Sequence, residues 1–223
     1  ECFRFWKAAD AQVGDDFQIN PEQIESRYFG ILTKIFNVGR FASQFDFDGD
    51  LDKVPDNLEN EDQWILAEFS DLLEKARVGY SGLDIYTAAQ GIKTFSTGVF
   101  ASHWLEMSKT RLYNDDTSAT WTLHRIFRDL LSILSPICPF FTHHLSTILY
   151  ENSAVDVDTF PEIPISGTAK WTKMTDSLVD FNSTVWKAKK DAGISLAAPI
   201  SGHTVPDELK NIGSALVSMH KLE

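Results

Sequence analysis

The stretch Arg27–Asp46, RYFGILTKIFNVGRFASQFD, decides the fold. Apolar residues recur at Phe29, Leu32, Phe36 and Ala42, and again at Ile31, Ile35, Val38 and Ala42, in helical register. Two apolar stripes describe a helix buried on more than one side. Against them stand Arg27, Lys34, Asn37, Arg40 and Gln44. Lys34, Asn37 and Phe41 lie at i, i+3 and i+7 and so share one face. A cation, an amide and an aromatic ring in a row match a phosphate, a base edge and the flat face of a base. The plainer reading is a core helix with ordinary charged positions.

Just upstream, Asn20-Pro21-Glu22-Gln23 has the chemistry of a helix start: Asn20 as N-cap, Pro21 in the first position, Gln23 at N3. The helix is expected from Pro21 to Gln44. Residues 1–13 read as a shorter helix anchored by Phe3, Trp6 and Val13, broken by Gly14-Asp15-Asp16, with Phe17-Gln18-Ile19 extended. Downstream, Asp46-Phe47-Asp48-Gly49-Asp50-Leu51-Asp52 invites a calcium-loop reading. Its glycine sits at loop position four rather than six, and position twelve is Asn57, so a solvated acidic loop is the better description.

Further helices are expected over Glu61–Val78, over a long span capped by Asp84 and running to Tyr113, and from a Thr117 or Ser118 cap to Pro136. Their inward residues are Trp64, Ile65, Phe69, Leu72, Leu73 and Ala76 in the first. Ile85, Ala88, Ile92, Phe95, Val99 and Leu105 face in from the second, and Trp121, Ile126, Phe127, Leu130, Leu131 and Leu134 from the third. Phe140–Tyr150 and Trp171–Ala192 complete the set, the latter ended by Gly193. Ile194–Leu196, Ile200–Val205 and Ala215–Met219 look like short strands, with a helical turn at Pro206–Gly213. The fold class is therefore mainly α, a helical bundle with a small α+β C-terminal subdomain. Four units are expected: residues 1–19 as a connection from something preceding, 20–150 as the bundle, 151–169 as a linker and 170–223 as the C-terminal subdomain.

Composition narrows the function. The 223 residues are 43% hydrophobic and 23% charged, a soluble globular profile without a transmembrane-length apolar run. Cys2 and Cys138 have no partner motif and suggest reduced thiols and a cytoplasmic origin. The net charge of −12 argues against a general polyanion binder. Asp46–Asp62 holds eight acids against one lysine, whereas residues 1–45 hold six acids against five bases. Any nucleic-acid contact near the opening helices is thus expected to be local and specific. His143-His144 point to different helix faces and complete no ligand set with Cys138, so no metal is expected. Glu106-Met107-Ser108-Lys109-Thr110 imitates a KMSKS loop, but its first residue is Glu and its surroundings are helical.

Several blocks of sequence carry a resemblance. Phe3-Arg4-Phe5-Trp6 followed by Gly14-Asp15-Asp16-Phe17 is similar to the "LRFW…G.D" that follows the KMSKS loop in valyl-tRNA synthetases. Thr33–Phe41 resembles that family's "NKLWNAARF", with Phe36 where Trp is usual. Phe100–Asn114 resembles "F..HYIE..K.R.YN", and Thr122–Thr142 resembles "TLY…L.P..PFIT", with His143-His144 replacing the usual Glu pair. Trp186–Leu196 resembles the "WK.KK..GLSL" of the archaeal form. The chain is thereby identified with the anticodon-binding domain of class Ia aminoacyl-tRNA synthetases of the archaeal valyl type, as a C-terminal piece beginning at Glu1. Isoleucyl- or leucyl-tRNA synthetase is the alternative within the class.

The resemblance implies a parent ligase that joins valine to its tRNA with ATP and Mg²⁺. The signatures of aminoacylation are missing from this stretch, so no catalytic residue and no cofactor are assigned to it. It implies tRNA as partner, no DNA, no membrane and a monomer. Carried over by position, Lys34, Asn37, Arg40 and Phe41 would contact the anticodon, with Gln23 at the helix start reaching another base. Lys187, Lys189 and Lys190 would touch the tRNA backbone. A helical protein-interaction scaffold, favoured by the negative charge, and a helical hydrolase built on His143 and His144 are the readings from other classes.

Overall fold

A computed structural model describes residues 1–11, 14, 16, 19–153, 155, 159–163 and 168–223. Val13, Asp15, Phe17 and Gln18, which enter expectations above, lie outside them. In chain order the helices are α1 (Cys2–Ala9), α2 (Pro21–Ala42), α3 (Asn60–Ser81) and α4 (Ile85–Thr94). A π-helical segment (Phe95–Trp104) leads directly into α5 (Leu105–Leu112). Then come α6 (Thr117–Leu134), α7 (Pro139–Tyr150), α8 (Thr168–Thr172), α9 (Thr175–Asp191), a 3-10 helix (Asp207–Ile212) and α10 (Gly213–His220).

Local chemistry explains the boundaries. Asn20 Oδ1 accepts a hydrogen bond from the Gln23 amide at 3.2 Å, and Pro21 occupies the first turn, so α2 starts where its sequence predicts. Asp84 caps α4 through the Thr87 amide. The cap of α6 is Asp116 rather than Thr117 or Ser118: its Oδ1 accepts from both the Ser118 and Ala119 amides at 3.0 Å. The span predicted as one long helix to Tyr113 is continuous but widens into π-helix at Phe95–Trp104.

The core is one continuous apolar cluster. Trp64, Trp104 and Trp121 sit at its centre with Tyr28, Phe5, Phe69, Phe100 and Phe127, all fully buried. Every inward residue predicted for α3 and α6 is buried, whereas Ile85 is partly exposed at the start of α4. Leu178, Val185, Leu209, Ile212 and Leu216 belong to the same cluster, so residues 170–223 pack into the bundle instead of standing apart. Trp64 Nε1 donates to Thr175 Oγ1 at 2.9 Å across that junction. The stretch read as a linker is also packed down: Arg125 donates to the Glu162 carbonyl at 2.6 Å and Ile163 is buried.

The expected strands are a correction. Ala215–Met219 lies inside α10, and among the described residues the β pairing is a single parallel bridge between Ile200 and Leu222. Short apolar runs carry no periodicity long enough to separate strand from buried helix. The predicted helix over Trp171–Ala192 is broken between α8 and α9.

Candidate nucleic-acid interface

Helix α2 carries most of the predicted site, and its burial decides which side is available. Ile24, Tyr28, Leu32, Ile35, Val38, Gly39 and Ala42 form its buried stripe. Gly39 allows the closest approach, for a Cβ there would sit 2.9 Å from the Phe127 ring and 3.3 Å from Leu149. Opposite this stripe, helical geometry places Ser26, Thr33, Asn37, Arg40 and Gln44, all exposed. Phe29 and Phe36 form one flank of that face and are 65% and 40% exposed. They were expected in the core and are in solvent. Gln23, Lys34 and Phe41 lie on the other flank, where Lys34 meets the π-segment and Phe41 meets Tyr113 just after α5.

Asn37 and Arg40 are the predicted residues that stand open. Neither side chain has a hydrogen-bond or ion-pair partner among the described residues. Asn37 is thus a solvent-facing amide. Lys34 differs. Its Nζ donates to Ser102 Oγ at 2.8 Å and to the Thr97 carbonyl, and Ser102 Oγ donates to the same carbonyl at 2.9 Å. The π-segment presents these acceptors, and the lysine closes onto them. Burial holds the Lys34 ammonium below its usual pKa, with Glu106 pulling the other way. Much of its charge is thus already engaged within the fold.

Phe41 is half-buried in an aromatic trio. Its ring meets Phe45 edge-on at 4.9 Å and Tyr113 at 6.0 Å, and Phe45 meets Tyr113 at 5.4 Å. Tyr113 is 62% exposed and brings the trio to the surface. In the sequence Tyr113 stands out only as a helix end within a motif. Its signal was available: an aromatic at a helix end, after Arg111 and before Asn114. Gln23 is exposed at the far end of α2, about 27 Å from Phe41 at 1.5 Å per residue, so the two cannot contact one base.

What holds Tyr113 in place is a buried ionic knot. Arg111, two residues earlier, donates to Glu61 Oε1 at 3.0 Å, to Asp62 Oδ1 and Oδ2 at 3.0 and 2.7 Å, and to Asp116 Oδ2 at 2.9 Å. Ser118 Oγ accepts from Arg111 at 2.7 Å and donates to Asp62 at 3.0 Å. Burial disfavours the guanidinium charge, but Asp62, Asp116 and Glu61 outweigh it and raise the Arg111 pKa. The knot ties the end of α5 to the starts of α3 and α6.

The lysine patch is a correction. Lys187 and Lys190 are exposed one turn apart on α9. Lys189 is 0% exposed, and its Nζ donates to the Leu196 and His220 carbonyls at 2.8 Å each. It fastens the turn after α9 to the end of α10 and cannot touch a phosphate from there. His143 and His144 are exposed on α7, and among the described residues no group of three or more His, Cys, Asp or Glu could hold a metal ion. No described helix is long and apolar enough to cross a membrane. The acidic loop after α2 is tethered through Asp52, whose carboxylate accepts from Arg128 at 2.7 Å, while Asp48 and Asp50 stay exposed. Asp46 and Asp48 share a cleft with Phe45 of the aromatic trio.

Comparison with known proteins shows the family. Residues 62–204 match the family described as the anticodon-binding domain of tRNA ligase. Among similar proteins, the valine--tRNA ligase of Nanoarchaeum equitans is 27% identical over 230 residues, covering 100% of this chain and 28% of the relative. That of Aeropyrum pernix is 31% identical over 237 residues, covering 99% and 28%. That of Sulfurisphaera tokodaii is 33% identical over 178 residues, covering 76% and 22%. The chain thus spans less than a third of the length of these relatives, and α2 precedes the family match but falls within the whole-chain alignments. With over half its length matched, the chain belongs to the family of anticodon-binding domains of tRNA ligases.

Proposed function

We propose that this chain reads the anticodon loop of valine tRNA on behalf of a longer valine--tRNA ligase. The observation that carries the reading is the open face of α2, where the unpaired Asn37 amide and Arg40 guanidinium lie beside the Phe41–Tyr113 surface. An amide reads a base edge, a guanidinium meets phosphate or a base acceptor, and an aromatic ring stacks an unstacked base. Lys34 takes part only by sharing bonds it already makes, and Gln23 meets a different nucleotide from Phe41. Lys187 and Lys190 remain as outlying phosphate contacts. The longer protein would join valine to its tRNA using ATP and Mg²⁺ bound elsewhere, as a cytoplasmic monomer. Residues 20–150 supply recognition, with 170–223 as a packed C-terminal extension.

Fluorescence anisotropy of labelled anticodon stem-loops tests this. A loop with the valine anticodon should bind more tightly than isoleucine or unrelated loops. Arg40→Ala and Phe41→Ala should each weaken it five- to fiftyfold, by about 1–2 kcal/mol at 0.1 M salt. Equal, strongly salt-dependent binding to all loops would refute anticodon reading.

A further inference from the structure

Phe45, the inner ring of the aromatic trio, lies beyond Ala42, the last helical residue of α2. Phe41 meets it at 4.9 Å and Tyr113 at 5.4 Å, so both outer rings rest on it. Two bonds bracket the chain there. The Phe45 amide donates to the Ala42 carbonyl at 3.0 Å, and further on the Leu51 carbonyl accepts from Arg125 at 2.9 Å. Between them a cleft of about 470 Å³ opens beside Phe45, Phe47, His124 and Tyr150. The segment thus has room to shift unless something else holds it.

His124, buried on α6, does so. Its Nε2 lies 2.7 Å from the Phe45 carbonyl. A carbonyl can only accept, so Nε2 carries the hydrogen, and in the neutral ring Nδ1 is then an acceptor. The Tyr150 hydroxyl, at the end of α7, stands 3.2 Å from Nδ1 and 3.3 Å from the His124 carbonyl, and shares its one hydrogen between them. The Tyr150 ring also meets the imidazole edge-on at 5.8 Å and 86°. Burial holds the His124 pKa below its ordinary value, against the Phe45 carbonyl and Asp46, which favour the charged ring. The imidazole is therefore neutral at physiological pH, with its tautomer set by the groups on either side.

We infer that His124 is a positioning residue for RNA recognition. By holding the Phe45 carbonyl it fixes the ring on which Phe41 and Tyr113 rest, and so sets the stacking surface without meeting RNA itself. Tyr150 acts one step further back, by favouring the tautomer that this bond requires. The inference rests on the reading of the α2 face as RNA-facing and deepens it. A recognition ring serves only where its neighbours lock its orientation. Without the His124 donor the Phe45 carbonyl loses its partner, Phe45 moves into the cleft, and the outer rings lose their backing.

The test is a double-mutant cycle on the full chain, read by the anisotropy of a labelled valine anticodon stem-loop, with circular dichroism melts to confirm folding. His124→Leu keeps an apolar body of similar size and removes the donor. It should weaken binding about threefold to tenfold. His124→Gln places an amide nitrogen as far along the side chain as Nε2 and should recover most of that loss. In a Phe41→Ala background His124→Leu should cost under about twofold, because the ring it acts through is gone, whereas in an Arg40→Ala background it should cost what it costs alone. Tyr150→Phe, which removes only the hydroxyl, should weaken binding about twofold and carries the cycle if His124→Leu does not fold. A loss equal in both backgrounds, a loss equal for His124→Leu and His124→Gln, or no loss at all would overturn the positioning role, while weakening by Arg40→Ala and Phe41→Ala leaves the α2 reading standing. A parent that binds no loop would overturn both.

Discussion

Replacing Arg111 by Met should cost the chain about 3 kcal/mol of stability and blur the site from a distance. The magnitude follows from what is stranded. Asp62 is fully buried and Glu61 nearly so, and Arg111 is the cation that both face. Removing one partner of a buried ion pair costs about 3–5 kcal/mol, since the remaining charge stays desolvated. Arg111 is 17% exposed and Asp116 30%, so water relieves part of that loss and the lower end applies. With a urea dependence of about 2–3 kcal/mol/M for a chain this size, the midpoint should fall by about 1 M. The pH dependence is a second readout. Burial raises the Glu61 pKa, and Arg111 pulls it down. Without Arg111 the carboxyl rises further above its unfolded value, so the unfolded chain ionises first as pH rises. The deficit is then largest at neutral pH and shrinks on acidification toward the carboxylate range. A loss under about 1 kcal/mol, or one equal at pH 7.5 and pH 4.5, would refute the account of a buried charge left uncompensated.

Other perturbations separate packing from charge. Gly39→Ala drives a methyl group into the Phe127 ring and should cost about 1–3 kcal/mol by thermal melt, shifting α2 away from α6. Lys189→Met leaves the Leu196 and His220 carbonyls without their donor and should destabilise by about 2 kcal/mol, whereas exposed Lys190→Ala should change stability by under about 0.5 kcal/mol. His220 is held neutral by burial, with Lys189, His203 and His103 adding repulsion, and its pKa is pushed down to about 4. The unfolded histidine protonates near its ordinary 6.5, so stability is present above that value and lost as pH falls toward 4. Urea titrations across that range should show the loss, and His220→Gln should flatten it.

Much of the bundle was legible because long amphipathic helices repeat their signal. Trp64, Ile65, Phe69, Leu72, Leu73 and Ala76 recur over more than three turns of α3, and all are buried. The α2 caps were legible for a different reason, since Asn20 and Pro21 have few other uses in that order. What failed was inference from a residue's type to its surroundings. Phe29 and Phe36 are apolar, but no element among the described residues buries that flank of α2, and hydrophobicity alone does not report whether a neighbour exists. The π-segment leaves little trace in the sequence because its ten residues continue a helix without a chain break, yet it supplies the acceptors that capture Lys34.

The burial of Lys189 is legible in helical register. Charge alone groups it with Lys187 and Lys190. Counting back from it by four, seven and eleven reaches Val185, Asn182 and Leu178, all buried on α9. Helical register thus placed Lys189 on the inner stripe, where a long cation is tolerated only if its ammonium finds acceptors. The acceptors could be named in kind: a chain reversal follows at Gly193, and carbonyls leaving a helix end lack intrahelical donors. Leu196, in that turn, supplies one of the two. The other comes from His220, the last residue of α10, so the buried lysine joins the turn after α9 to a helix C-terminus. By the same logic Lys187 and Lys190 are off register with that stripe and free to meet RNA, and an alanine scan of the three should separate folding from binding. Lys189 should appear in the melt, and the other two only in the salt slope of RNA affinity.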